Sequence, residues 1–265
     1  MARFLQLSDL HVVEKGARAS GILDTRDILT AAINRLLDMK AAFDPLDAVL
    51  VSGDISDDGS ADSYAFARVE LERIGLPVYV VPGNHDAREP FRSAFAKAAK
   101  MPSSGLIDWC STIGDTLVVG LDTLVEGQGG GRVREDSLNL LRNALDMWEG
   151  GPVVVMLHHP PLRTGIRCMD AIGLENTDVL EAQLAGVDHD IALIAGHVHG
   201  VHHGLLGRHP VATAPSICSA FELNRREDAT VGFRTGPTGC AVIDTSPGGI
   251  WSVVPLDPSD GPFRF

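Results

Sequence analysis

Apolar and polar positions along the first two-thirds of the chain switch between two periods. Residues 3–7 form a short apolar run of strand type. Residues 25–42 then place Ile28, Leu29, Ala32, Ile33, Leu36 and Leu37 at helical spacing, one apolar face on an otherwise polar helix. Residues 47–51 are apolar without a break and end at Gly53, the pattern of a parallel strand buried on both faces. Ser60 is an N-cap candidate for a helix over 61–74, closed by Gly75 and Pro77. Residues 78–81 supply the next strand, stopped by Pro82-Gly83.

Residues 91–102, rich in Ala and Lys, read as irregular. Strands are expected at 106–112 and 117–121, a helix over 134–148, a strand at 153–157, a helix over 176–184 and a strand at 191–195. From there the pattern is strand-only, at 201–206, 211–214, 239–244 and 251–255, with an extended tail over 257–265. An α/β half followed by an all-strand part predicts two sheets packed face to face with helices on their outer faces. One domain over residues 1–265 is expected. Two segments, 163–176 and 217–233, carry Met, Phe and charges without a clean period, and are expected to pair as a small cap or dimer contact. The glycine-rich stretch 127–131 lacks the Lys-Ser/Thr of a phosphate loop and reads as a flexible turn.

Composition narrows the class. Hydrophobic content of 45% with 22% charged residues is that of a soluble globular protein. A formal charge of −13 argues against gripping a nucleic acid polymer through its phosphates, yet leaves room for a small phosphorylated substrate beside bound cations. Cys110, Cys168, Cys218 and Cys240 are widely spaced and read as reduced thiols. No charged-then-apolar leader precedes the first strand, and no apolar run is long enough for a bilayer. The expectation is a cytoplasmic protein without membrane contact.

The candidate chemistry sits in five short blocks, each where a strand should run into a loop: Asp9-Leu10-His11, Gly53-Asp54, Gly83-Asn84-His85-Asp86, His158-His159-Pro160 and Gly196-His197-Val198-His199. Carboxylate, amide and imidazole ligands without thiolate suit Mn, Fe or Zn rather than a structural zinc cage. The ligands are too many for one ion and fit two ions sharing a carboxylate. Asp9 and His11, two residues apart, would point the same way on a continuing strand, and so would His197 and His199. Asp54 follows a central strand at its carboxyl end, where open α/β sheets place ligands. Of His158 and His159 one is expected to bind and the other to pack, since neighbours face opposite ways. His85 and Asp86 read as a proton-handling pair. Asp57 and Asp58 read as a solvated loop, His202, His203 and His209 as a polar edge strand, and His189 as surface.

In this order the blocks resemble the calcineurin-like metallophosphoesterases, over residues 5–199. Carried over by position, the resemblance implies one metal held by Asp9, His11, Asp54 and His199, and another by Asp54, Asn84, His158 and His197. His85 would meet substrate and assist the leaving group, with Asp86 behind it. Purple acid phosphatases carry a Tyr three residues after the bridging Asp, where this chain has Asp57. The stretches 157–176 and 214–218, and Gly232-Phe233-Arg234, resemble the class III cyclic nucleotide phosphodiesterase and bacterial glycerophosphodiesterase branch. That branch implies a four-layer αββα sandwich of two mixed sheets, a small cap, and a homodimer or higher oligomer.

The implied activity is hydrolysis of a small phosphodiester by a hydroxide bridging two divalent metals, Mn²⁺ or Fe²⁺ first and Zn²⁺ also admissible. A phosphomonoesterase or protein phosphatase with the same chemistry is the nearest alternative. The acidic surface counts against a nuclease, and filled ligand positions count against a non-catalytic scaffold.

Overall fold

Phe4, Leu5 and Leu7 are all fully buried, although alternate side chains of a strand point to opposite faces. Apolar layers must therefore cover the first strand on both sides. In the computed structural model, which describes residues 1–96, 101–226, 228–260 and 263, one covering layer is helical and the other is a second sheet.

The elements run β1 (Arg3–Leu7), α1 (Thr25–Met39), β2 (Ala48–Val51), α2 (Ala61–Glu72), β3 (Val78–Val80), α3 (Arg88–Phe95), β4 (Trp109–Ile113) and β5 (Thr116–Leu121). They continue with α4 (Glu135–Asp146), β6 (Val153–Leu157), α5 (Arg167–Asp170), α6 (Thr177–Leu184), β7 (Ile191–Ala195), β8 (His203–Leu206) and β9 (His209–Thr213). Last come β10 (Ala220–Phe221), β11 (Phe233–Arg234), β12 (Gly239–Asp244) and β13 (Trp251–Pro255). One sheet has the order β13-β12-β1-β2-β3 and the other β4-β5-β6-β7-β9-β8. Strands β1 to β3 are parallel, as are β5, β6, β7 and β9, and antiparallel strands close the edges formed by β13, β4 and β8.

Strand alternation sorts the core into three apolar layers. Leu5, Leu7, Val49 and Val51 face α1, α2 and α3 through Leu29, Ile33, Leu36, Tyr64, Leu71, Phe91 and Phe95. Phe4, Ala48 and Leu50 meet Val118, Val154, Met156 and Ile194 between the sheets. Val119, Val155, Leu157 and Leu193 face Leu138, Leu141 and Leu145 of α4 and Leu180 and Leu184 of α6. The result is the four-layer αββα sandwich that the resemblance implied.

Local signals set the helix starts. Ser60 caps α2, its side chain accepting from Ser63 N at 3.2 Å, and Asp24 caps α1 by accepting from Asp27 N at 3.3 Å. One expectation is corrected: most of the described part of 91–102 is not irregular, because α3 runs to Phe95 with Phe91, Arg92 and Phe95 buried. Residues 97–100 of that stretch, and 261–262 and 264–265 of the tail, lie outside the described residues. The segments 163–176 and 217–233 do meet: Ile166, Cys168 and Met169 pack with Val198 and Phe221. Among the described residues no helix is long and apolar enough to cross a membrane.

Candidate metal centre

Each of the five blocks follows the carboxyl end of a different parallel strand. Asp9 and His11 come after β1, Asp54 after β2, Asn84 after β3, His158 after β6, and His197 and His199 after β7. Both sheets thus deliver ligands to one shared edge.

The way the side chains converge differs from the expectation. β1 stops at Leu7, and Asp9 and His11 adopt left-handed backbone with φ of 53° and 46°. Asp54, His197 and His199 do the same at 49°, 70° and 45°. That conformation costs an L residue roughly 1–2 kcal/mol, so the surroundings must hold it. Asp9 N donates to Gly53 O at 3.0 Å and His11 N to Asp54 O at 2.9 Å, stitching the first loop to the second. Tight approach is possible because two neighbours lack a side chain. A Cβ on Gly83 would run into the Asp54 carboxylate, and one on Gly196 into Ser8 and Asp9.

Asp54 lies at the centre. Its Oδ2 is 3.5 Å from His11 Nε2 and 3.3 Å from His158 Nε2. On one flank His11 Nε2 and His199 Nε2 are 3.0 Å apart, with His199 Nε2 3.5 Å from Asp9 Oδ1. On the other, His158 Nε2 is 3.1 Å from Asn84 Oδ1, and the His197 ring centroid is 5.1 Å from that of His158.

The remaining nitrogen of each ring is tied outward. His11 Nδ1 donates to Asp57 Oδ1 at 2.8 Å, and His158 Nδ1 to Ser52 O at 2.8 Å. His199 Nδ1 pairs with Ser219 Oγ at 2.9 Å, and His197 Nε2 donates to Ile172 O at 3.0 Å. With their N–H groups so placed, the rings turn lone pairs inward, the arrangement that outer partners impose on metal-binding histidines. The inner nitrogens of His11 and His199 meet at 3.0 Å, where two lone pairs repel each other and a cation between them removes that repulsion. The donor set fits two divalent cations sharing Asp54. Cys218 lies near His11 and His199, and burial pushes its thiol up to about 12, so it stays a thiol where no cation is bound.

Charge is distributed accordingly. Burial works against ionised Asp54, yet the His158 charge and hydrogen bond outweigh it and hold the carboxyl well below its usual range. Burial likewise depresses His158, but Asp54 and Asp9 reverse the effect and push it up to about 9. Burial and the neighbouring His158 take His197 down to about 3, and burial lowers His199 strongly.

At the rim stands His85. Its backbone N donates to Asp54 Oδ1 at 2.9 Å, and its Nδ1 is 3.2 Å from Asp57 Oδ1. Burial alone lowers the imidazole; the Asp57 hydrogen bond and the charges of Asp54 and Asp57 more than offset it, to about 9. Asp86 is not behind His85 as expected. Its buried carboxylate accepts from Gly83 N at 2.8 Å, Ser56 N at 3.0 Å, Ile55 N at 3.3 Å and Tyr64 OH at 3.0 Å. It ties the loop after β2 to the loop after β3. Asp57, read as a solvated loop residue, is the carboxylate shared by His85 and His11, and only its spacing three residues after Asp54 hinted at this.

His159 packs outside the centre, with Nδ1 2.8 Å from Thr123 Oγ1 and Nε2 donating to Gly129 O at 3.1 Å, and so pins the glycine-rich turn. His209 is buried at the start of β9 and His203 lies edge-on to Trp251. A cavity of about 160 Å³ opens above the centre. Asp57, Asn84 and His85 are part of its polar lining, and Leu23, Met169, Ile172, Phe221 and Phe233 of its apolar lining.

Fold and site together define a metallophosphoesterase. The calcineurin-like phosphoesterase family matches residues 2–201, and the chain belongs to that family. It is 34% identical over 218 residues to the 3′,5′-cyclic adenosine monophosphate phosphodiesterase CpdA of Pseudomonas aeruginosa, covering 82% of this chain and 76% of that one. It is 30% identical over 234 residues to the probable glycerophosphodiester phosphodiesterase GpdQ of Arcobacter nitrofigilis, covering 88% and 85%. Among solved structures a dimetal phosphatase from Danio rerio is similar with a TM-score of 0.63 at 16% identity, over 91% of this chain and 92% of that one, a likeness of fold alone.

Proposed function

We propose that the chain is a metal-dependent hydrolase of small phosphodiesters, of cyclic nucleotide or glycerophosphodiester type. The observation that carries this is the convergence of Asp9, His11, Asp54, Asn84, His158, His197 and His199, with each imidazole held outward through its other nitrogen. Asp9, His11, Asp54 and His199 would hold one cation, and Asp54, Asn84, His158 and His197 the other. Mn²⁺ or Fe²⁺ suits these donors, and Zn²⁺ is admissible. When bound, such a pair supplies Lewis acidity and a water of lowered pKa.

The chain itself supplies orientation and a proton. With Nδ1 of His85 against Asp57, its other nitrogen is free to face a phosphate oxygen or a departing alkoxide. The Asp57 hydrogen bond favours the protonated imidazole, which suits it to act as an acid and hydrogen-bond donor. The apolar side of the cavity limits water around the ester.

The test is a rate panel with added Mn²⁺ on 3′,5′-cyclic AMP, glycerophosphocholine, bis-p-nitrophenyl phosphate and p-nitrophenyl phosphate. At least one diester should be turned over ~10-fold or more faster than the monoester, and the reverse order refutes the reading in favour of a phosphomonoesterase. His85→Ala should lower kcat by roughly 10²–10⁴ while metal content by mass spectrometry stays that of the wild type. The four free thiols, Cys110, Cys168, Cys218 and Cys240, support a reducing, cytoplasmic compartment. Exposed Leu223 and Val231 on the 217–233 segment support its role as a cap or homodimer contact, which sedimentation velocity would test.

A further inference from the structure

The apolar side of the cavity is built from three separate stretches: Leu23, the Met169–Ile172 turn, and the β10–β11 ribbon. In that ribbon Phe221 is the direct register partner of Phe233. Side chains directly opposite on antiparallel strands share one face, so both phenyl groups stand on one face of the ribbon, Phe221 against Met169 and Val198 and Phe233 against Leu23. Both line the cavity above the metal ligands. Phe221 begins at the ligands themselves, its ring centroid 4.5 Å from that of His199 at an interplanar angle of 36°. The same two residues also line a second cavity of about 500 Å³, whose walls include Asn224 and Thr230.

We propose that the Phe221–Phe233 pair is the specificity element for the organic group of the ester, and that it selects a flat aromatic group, as in a nucleoside phosphodiester, over a glycerol group. The assignment rests on the phosphodiesterase reading above. A phosphate at the metal ligands puts one ester group against this wall. A glycerol moiety there would exchange water for phenyl, methyl and thioether surface, leaving its hydroxyls without partners. A nucleobase would lay its π face on a phenyl ring and direct its polar edge toward the second cavity that the two residues share, where the Asn224 and Thr230 side chains offer hydrogen bonds. Asp57, Asn84 and His85, which line the same cavity, are left for the phosphate.

Phe233 is the residue to change, because Phe221 packs on a ligand histidine and Phe233 is placed against Leu23 and Cys218 instead. KM and kcat would be measured for 3′,5′-cyclic AMP and for glycerophosphocholine, in the Mn²⁺-loaded wild type and in Phe233→Ala, Phe233→Leu and Phe233→Trp. The expected result is about a tenfold rise in KM for the cyclic nucleotide in the Ala and Leu variants. KM for glycerophosphocholine should stay within about twofold, and Trp should restore the cyclic nucleotide KM. Leu keeps the apolar packing without the flat face, so a rise shared by Ala and Leu at unchanged Tm and metal content separates stacking from misfolding. An equal loss on both substrates, or an unchanged KM for the cyclic nucleotide, overturns the assignment. A wild type that favours glycerophosphocholine overturns it too while leaving the phosphodiesterase reading intact; a wild type inactive on every diester removes both.

Discussion

Ser219 meets Nδ1 of His199 at the wall of the cavity, and Ser219 is itself held by Ser216. The Ser216 hydroxyl accepts from Ser219 N at 3.3 Å and donates to Asp9 O at 2.9 Å. One short loop thereby positions a carboxylate from the first sheet and an imidazole from the second. Ser219→Ala frees that ring to turn, and metal affinity should fall about 10–100-fold, read by isothermal titration with Mn²⁺. Unchanged affinity would show that Ser219 is a bystander. Asp86 predicts a different phenotype. Asp86→Ala strips the partners from Gly83 N, Ser56 N, Ile55 N and Tyr64 OH, and should cost roughly 3 kcal/mol or more in urea unfolding. A loss under about 1 kcal/mol would contradict the role read from its hydrogen bonds. The contrast between Asp57 and Asp86 also marks where sequence reading ends at this scale. Ligand identity is carried by residue type and neighbours, so Asn84 or His197 stands out in the sequence alone. Which carboxylate meets His85 depends on how the loop after β2 lies against the loop after β3, and no local pattern encodes that.

At the scale of elements, Asp108 joins three of them. Its Oδ1 accepts from Asp122 N just beyond β5 at 2.7 Å, and its Oδ2 from the Ser137 hydroxyl of α4 at 2.8 Å, while Asp108 itself leads into β4. Burial pushes this carboxyl up to about 6. Between its ordinary value of 3.8 and 6 the folded state therefore binds the proton more tightly than the unfolded chain. Stability from this group falls as pH rises through that window and is flat above it. Asp108→Asn keeps an acceptor for Asp122 N but cannot ionise. Its Tm relative to wild type should rise from pH 4 to pH 7, and a parallel pair of Tm curves would refute the assignment. Strands and major helices were legible because burial dictates their apolar periods, and Ser60 announced α2 through its cap. Helix α3 was not. Only Phe91 and Phe95 supply its apolar face, and the third buried position is Arg92, whose guanidinium donates to Pro102 O and Gly105 O instead of facing water.

For the whole molecule the decisive fact is that Asp9, His11, Asp54 and Asn84 come from one sheet and His158, His197 and His199 from the other. Bound cations would fasten the two sheets together across their shared edge. Ligands that bind only the folded state stabilise it, by about 2.7 kcal/mol at a hundredfold excess over Kd. At roughly 2–4 °C per kcal/mol for a chain of this size, removing the metal with EDTA should lower Tm by about 5–10 °C, and Mn²⁺ should restore it. A Tm indifferent to chelation would dissolve the proposed ligand sets. The two-sheet architecture could be anticipated from the change to strand-only pattern after residue 195. The ribbon of β10 and β11 could not, since two-residue strands leave no period to read.

Five residues that face the proposed cations hold a backbone shape that only glycine takes freely. Asp9, His11, Asp54, His197 and His199 are kept there by the loops around them, at a backbone cost that glycine would not incur. A descendant released from catalysis could relax at those positions and recover part of the stability it loses with the cations. Endurance and chemistry pull this fold in opposite directions, and the tension is written into five torsion angles.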